Sequence, residues 1–305
     1  MSPLLLNDDD VRARLDPATA VGAVRAVLLA SHAGTLRAPP RVRADLGDGD
    51  LVFTAGRMDS LGVFGFRAYD TFAGADQLVA VWGRQDGRVR VLVSGDELGA
   101  RRTGAIGAVA VDVAAKPGPI RLGLVGAGTQ AWTQLWAIRA VRELAEVSVA
   151  ARHPERAVAF ADRAAAELDV VVRPVASAED AVRDQDVVVV ATSSATPVLQ
   201  AGWIAPGTHL NTIGPKTASR HEVPADLAGR AAVILTDSPA QLAAYPEPHV
   251  FADQPLTDLG AVLAGAATAR TSPEEITIFC SVGLAGTEVA VAAALCDRVR
   301  QGEAG

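Results

Sequence analysis

The stretch Arg121-Leu-Gly-Leu-Val-Gly-Ala-Gly-Thr-Gln-Ala131 decides the fold class: a short apolar strand runs into Gly126-x-Gly128-x-x-Ala131, and a helix-like segment begins at once. Gly126 permits a tight turn and Gly128 lets the backbone approach a pyrophosphate. Ala131 allows close packing of helix on strand, with the helix N-terminus facing the phosphates. Thr129 and Gln130 open that helix and join the expected cofactor-binding set. Residues 146–151 read as a second strand about 20 residues further on, as a strand–helix–strand unit requires.

Outward from this unit, the chain divides by rhythm. After Lys116-Pro-Gly-Pro119, read as a linker, strands are expected near residues 121, 146, 170, 186, 208, 231 and 275, with helices between them. That alternation describes a parallel, doubly wound sheet in an α/β fold. Upstream, residues 8–34 read as one helix, with Val21, Val24, Val27 and Leu28 at helical spacing. Apolar runs at 51–55, 62–69, 77–83 and 88–94 alternate with Gly-Asp-Gly-type turns, which predicts an antiparallel sheet of hairpins. Residues 96–116 read as helix, and a last helix over about 283–302 is expected to return to the first unit.

Composition excludes several functions. A net charge of −7 without a basic block lacks the electrostatic footprint of a nucleic-acid binder. Cys280 and Cys296 are too few for a disulfide framework, and the first ten residues lack the cationic and apolar regions of a secretory signal, so a cytoplasmic location is expected. The most apolar stretch, Val282 to Cys296, contains Glu288 and falls short of a membrane span, so no membrane partner is expected. The five histidines form no ligand pair at helical spacing, and no structural metal is expected. Lysine is more informative, because only Lys116 and Lys216 occur among 28 basic residues. A lysine kept in an arginine-rich chain draws attention to its own chemistry.

The second strand should end near Ala150-Ala151, where a carboxylate would bond the ribose 2′-hydroxyl of NAD. The chain instead continues Arg152-His-Pro-Glu-Arg156, and exchanging the acid for guanidinium groups suits a 2′-phosphate. NADP(H) is therefore the expected cofactor, with NAD as the alternative. Asp186-Val-Val-Val-Val-Ala-Thr-Ser-Ser194 reads as a buried strand whose small hydroxylated end, Thr192 and Ser193, reaches the edge where ligands of such sheets bind. Pro206-Gly-Thr-His-Leu-Asn-Thr-Ile-Gly214-Pro-Lys216 repeats the arrangement and brings Gly214 and Lys216 to the same crevice, with His209 as a packed core residue. In the first unit, Arg41, Arg67 and Arg102 lie at strand ends and a helix start; two guanidinium groups on one carboxylate give bidentate recognition.

Together Gly126-Ala-Gly-Thr-Gln-Ala131, Ala191-Thr-Ser-Ser194, Gly207-Thr-His-Leu-Asn-Thr-Ile-Gly214, Phe279-Cys-Ser-Val-Gly-Leu-Ala285 and Leu98-Gly-Ala-Arg-Arg-Thr-Gly104 resemble the ornithine cyclodeaminase/mu-crystallin family over nearly the whole chain. The resemblance implies a Rossmann domain, here 118–282, and a mixed α/β substrate-binding and dimerisation domain, here 1–117 with the C-terminal helix at about 283–305. It also implies a homodimer, and it brings Ser281 and Gly283 into the cofactor set. Hydride transfer would occur at the α-carbon of a carboxylate-bearing amine or imine. Arg41 and Arg102 fall on substrate-carboxylate positions. Arg67 stands where the family usually has a lysine, and Tyr69 beside it is a reserve proton donor. Lys216 replaces an aspartate that cyclodeaminases use, and an ammonium there would repel a dibasic amino acid by roughly 4 kcal/mol at about 4 Å in partly screened surroundings. Cys280 replaces a usual lysine, and Glu288 supplies the usual acid of the last helix. The resemblance, which several reactions share, together with Arg152, Arg156 and Lys216 points to an NADP(H)-dependent ketimine reductase or amino-acid dehydrogenase, with Lys216, Arg67 and Arg102 as catalytic candidates. An ammonia-lyase using NAD(P) catalytically, or a non-enzymatic binder of NADP(H) and a small carboxylate, are the alternatives.

Overall fold

Val187–Val190 is buried on both faces, and this run of four valines forms a central strand of a wholly parallel sheet. A computed structural model describes residues 2–72 and 76–303 and contains two sheets. The elements of the first half are β1 (Leu4–Leu6), α1 (Asp8–Arg14), α2 (Pro17–His32), β2 (Leu36–Arg37), β3 (Val42–Asp45), β4 (Asp50–Met58), β5 (Val63–Asp70), β6 (Gln77–Gly83), β7 (Val89–Ser94) and α3 (Glu97–Ala114). The second half runs β8 (Ile120–Val125), α4 (Thr129–Ile138), β9 (Leu144–Ala150), α5 (Pro154–Leu168), β10 (Arg173–Pro174), α6 (Ala178–Val182), β11 (Val187–Val190), β12 (His209–Thr212), β13 (Ala231–Thr236), α7 (Pro239–Ala243), β14 (Leu256–Asp258), α8 (Leu259–Leu263), β15 (Ile276–Cys280) and α9 (Thr287–Glu303).

The second sheet has the order β10-β9-β8-β11-β12-β15-β13-β14. The chain leaves β8 in one direction for β9 and β10, then crosses to β11 on the other side. Strand order therefore reverses between β8 and β11, at the carboxyl edge where doubly wound sheets bind ligands. The first sheet is ordered β1-β7-β6-β5-β4-β2, with β3 also paired to β4. One face, with Val52, Met58, Val63, Val79, Val81, Val91 and Val93, is buried, and α9 packs there.

Several expectations change. The helix expected over 8–34 is two helices, because Asp16 caps a new start by accepting from Thr19 N at 2.8 Å and Pro17 occupies the first turn. Leu4–Leu6 adds a strand parallel to β7, so the first sheet is mixed rather than purely antiparallel. The strand expected near 170 shrinks to Arg173–Pro174 at the sheet edge, where a proline lacking an N–H is tolerated. The last helix starts at Thr287 rather than near 283, after a turn containing Gly283 and Gly286, both at positive φ. Residues 304 and 305 of the expected C-terminal span lie outside the described residues.

The halves meet where α3 packs on α4. Gly104 and Gly107 make this possible: a Cβ on the first would run into the Thr133 carbonyl, and one on the second into the Gln134 side chain. Gln134 then donates to Thr103 O at 3.1 Å, and Asn211 donates to Gly107 O at 3.1 Å. His209 sits in this buried network with Thr277 Oγ1 at 2.8 Å and Asn211 Oδ1 at 2.9 Å, as a packed core residue. Burial drives its pKa down to about 3, so the ring is neutral. The network fixes α3, which carries Arg102, against α4, which begins at the glycine turn.

Candidate active site

A cleft of about 560 Å³ opens at the reversal between β8 and β11. Its lining includes Gly126, Gly128, Thr129, Gln130, Arg152, Arg156, Thr192, Ser193 and Gly214. Ala131, Lys216, Ser281 and Gly283 are not part of it. Ala131 is fully buried in α4, where it serves packing. Gly126 has φ of 108°, and a Cβ there would meet the Ala191 carbonyl, so the turn itself demands glycine. At Gly128 a Cβ would meet nothing within 4 Å. Gly128 is also the N-cap of α4 with no side-chain cap, which leaves the first amides of a ten-residue helix free for an anion. An open cradle over uncapped amides fits the pyrophosphate of a dinucleotide.

Beyond β9, Arg152 and Arg156 are exposed on the cleft wall, and neither guanidinium has an ion-pair or hydrogen-bond partner among the described residues. Thr192 and Gly214 are held from behind by Glu222, a residue not singled out in the sequence. Its Oε1 accepts from Thr212 Oγ1 at 2.9 Å, Ile213 N at 2.9 Å and Gly214 N at 2.6 Å. Its Oε2 accepts from Thr192 N at 2.7 Å and Thr192 Oγ1 at 2.9 Å. Burial pushes this carboxyl up and the surrounding donors pull it down. A proton on either oxygen would confront a backbone amide, so the geometry accommodates the carboxylate.

A second cluster lies between the sheets. Arg102, at the start of α3, and Arg67, on β5, both donate to Glu288 Oε1 in α9, Arg67 at 3.1 Å. Glu288 thereby clamps two of the three expected carboxylate-binding groups. Arg67 also donates from Nε to Gln77 at 2.8 Å and lies 4.3 Å from the Tyr69 ring centroid. Arg41, just before β3, donates to Val282 O at 2.7 Å and Gly283 O at 3.2 Å. That loop is fixed by Asp237 at the end of β13, whose oxygens accept from Val282 N and Leu284 N, both at 2.7 Å. Gly283 belongs here: a Cβ would press on the Arg102 guanidinium.

Burial draws the Arg102 guanidinium down from its usual range; Glu288 opposes this, while Arg67 and Arg41 add to it. Three cations thus surround one directly paired carboxylate. The Nε atoms of Arg41 and Arg102 are buried and find no acceptor among the described residues, so positive charge and unmet donors meet in this cluster.

Lys216 is 9% exposed, and its ammonium donates to Gly214 O at 2.6 Å and Ile213 O at 3.2 Å. Its charge is felt at Cys280, whose thiol burial nevertheless pushes up to about 12. Cys280 is thus an inert buried thiol. Glu222 and Asp237 carry no spacing signal in the sequence: Asp237 directly follows a strand, whereas Glu222 lies in the loop ten residues after β12.

The model of the ornithine cyclodeaminase/mu-crystallin family matches residues 1–303, and the chain belongs to that family. An iminosuccinate reductase of Paracoccus denitrificans is 30% identical over 310 residues, covering 96% of each chain. The crystal structure of the iminosuccinate reductase of Paracoccus denitrificans in complex with NAD+ superposes with a TM-score of 0.87 at 27% identity, covering 99% of this chain and 97% of that one. An archaeal alanine dehydrogenase dimer with bound NAD superposes with a TM-score of 0.86 at 26% identity, covering 100% and 98%.

Proposed function

We propose that this member of the ornithine cyclodeaminase/mu-crystallin family is a nicotinamide-dependent oxidoreductase acting on the carbon–nitrogen bond of a small carboxylate-bearing imine or amino acid, with NADP(H) as the preferred coenzyme. One observation carries the reading: the cleft reaches Gly214 beyond β12, and the neighbouring strand β15 leads into the loop that holds Arg41 in a cluster of three arginines with, among the described residues, one directly paired carboxylate. The similarity to an iminosuccinate reductase and an alanine dehydrogenase supports the reaction class. The preference for NADP(H) rests on Arg152 and Arg156, two guanidinium groups unpaired among the described residues, where an NAD site would place an acid.

Gly126, Gly128, Thr129 and Gln130 would hold the pyrophosphate, with Thr192, Ser193 and Gly214 along the rest of the coenzyme. The bound coenzyme supplies the hydride. Arg41 and Arg102, with Arg67 steadied by Glu288, bind the substrate carboxylate and orient its α-carbon, and orientation supplies much of the rate. Lys216 has two of its three ammonium protons anchored on carbonyls; the third serves as a proton for the substrate nitrogen or as a contact to a second acidic group. Residues 1–117 with α9 form the substrate and dimerisation unit, and 118–282 the coenzyme unit.

The dimer is proposed to form through the outer face of the first sheet. Phe53, Phe66, Trp82 and Phe64 make a continuous aromatic row there, with successive centroid separations of 6.3, 5.7 and 5.8 Å. Val42, Leu78 and Leu5 extend it at 59%, 40% and 72% exposure, a patch that suits a self-complementary partner. No helix among the described residues is long and apolar enough to cross a membrane. Two buried free thiols suit the reducing cytoplasm proposed as its location.

The test is a screen of the purified protein with NADPH and NADH against cyclic imines, 2-oxo acids with amines, and basic amino acids. Net NADPH oxidation with an imine supports the proposal. Ammonia release without net coenzyme turnover would make the protein a lyase, and tight coenzyme binding with no turnover would make it a binding protein.

A further inference from the structure

The chain has two tyrosines: the Tyr69 ring lies against Arg67, and Tyr245 packs against Val282, whose carbonyl accepts from Arg41. Tyr69 comes from the first sheet and Tyr245 from the second half, just beyond α7. Ser238 opens α7 by accepting from Gln241 N at 3.3 Å, and Tyr245 N closes its end by donating to Leu242 O at 3.3 Å. This turn sets the Tyr245 ring against Leu242, Cys280 and Val282. With its amide oriented to satisfy both groups, Gln241 donates to Gly283 O at 3.1 Å and accepts from Ala285 N at 2.7 Å. The segment carrying Tyr245 is therefore fastened to the loop whose carbonyls hold Arg41.

The charged and ionisable groups that act most strongly on the phenol are Arg41, Asp237, Cys280 and Tyr69. Asp237 has both oxygens engaged by backbone amides, and the Cys280 thiol is buried and un-ionised. The phenol hydroxyl itself has no hydrogen-bond partner among the described residues. Burial pushes its pKa up to about 12, so it remains a donor at any working pH. A neutral O–H donor with no acceptor among the described residues, on a ring packed against Val282 whose carbonyl holds Arg41, has a complement in a carboxylate oxygen.

We propose that Tyr245 is a substrate-contacting specificity residue, whose hydroxyl donates a hydrogen bond to the substrate carboxylate beside Arg41. This rests on the proposed carboxylate site and adds a residue from the coenzyme-binding half, so that the acid is gripped from both halves.

The experiment measures binding of pyrrole-2-carboxylate, a flat and unreactive acid, to the NADPH-loaded protein by titration calorimetry, for the wild type and Tyr245→Phe. Loss of one hydrogen bond to a charged group corresponds to about tenfold weaker binding, with NADPH affinity unchanged. A change under about threefold, or an equal loss of NADPH affinity, overturns the assignment while leaving the proposed function standing. Failure of the wild type to bind the acid overturns both. Tyr245→Leu, which keeps an apolar contact with Leu242 and Val282, gives the same reading if the Phe variant misfolds.

Discussion

The proposed preference for a phosphorylated coenzyme can be tested quantitatively at Arg152. Arg152 and Arg156 line the cleft, are exposed, and have no side-chain partner among the described residues to surrender on binding a ligand. A 2′-phosphate carries about −1.5 to −2 charges at neutral pH, and each charge-assisted hydrogen bond is worth about 1.5–3 kcal/mol. Solvent exposure places each arginine at the lower end, so Arg152→Ala should cost about 1.5 kcal/mol, or about tenfold in NADPH affinity. NADH lacks the phosphate and should lose less than about twofold. The double variant with Arg156→Ala should erase most of the discrimination, though not additively, because both groups address one phosphate. Fluorescence titration with the two reduced coenzymes gives both constants. The wild-type preference should also shrink between about 0.1 M and 1 M salt, as the screening length falls from about 10 to about 3 Å. Equal losses for NADPH and NADH in Arg152→Ala, or tighter wild-type binding of NADH, would refute the reasoning.

Three further outcomes are expected. Glu222→Gln must turn an NH2 group toward a backbone amide whichever way it faces, so stability should fall by about 2–3 kcal/mol and NADPH should bind more weakly as Thr192 and Gly214 shift; a melting curve and coenzyme affinity matching the wild type would count against this role. His209 has its pKa lowered to about 3 in the folded state, so its contribution is complete above the unfolded value near 6.5 and declines as pH falls toward about 3. At pH 5 the loss reaches about 2 kcal/mol, and the melting-temperature gap between wild type and His209→Gln should narrow from pH 7 to 5; a constant gap contradicts the shift. Arg102→Lys keeps the charge beside Glu288 but loses the planar fork, so KM for the turned-over acid should rise at least about tenfold with NADPH affinity intact, whereas an unchanged KM removes Arg102 from the substrate site.

Most of the coenzyme cleft was legible in the chain because its rules are local. The glycine spacing in 126–131 encodes a turn and a helix start within a few residues, and apolar runs ending in small residues mark strand edges. The arginine cluster was legible only in part: Arg41, Arg67 and Arg102 could be named, but not their partners. The carboxylate that clamps Arg102 lies 186 positions away on α9; the resemblance marks Glu288 as the usual acid of the last helix, but only the packing of that helix against β5 and α3 shows which groups it holds. Breaks in the pattern were harder to read. The cap and proline at Asp16–Pro17 split an amphipathic run whose periodicity continues across the break, and a three-residue strand such as Leu4–Leu6 is too short for alternation to show.

The sequence by itself determined that a parallel sheet would present a phosphate cradle at one edge, because backbone sterics and side-chain periodicity act over neighbouring residues. Only the tertiary structure decided which buried acids stand behind that cradle and between the arginines. Glu222 reaches across 30 positions to Thr192 and Asp237 across 45 to Val282. Those distances in the chain become hydrogen bonds only after the strands are ordered side by side, because a buried charge is tolerable only where packing delivers its partners.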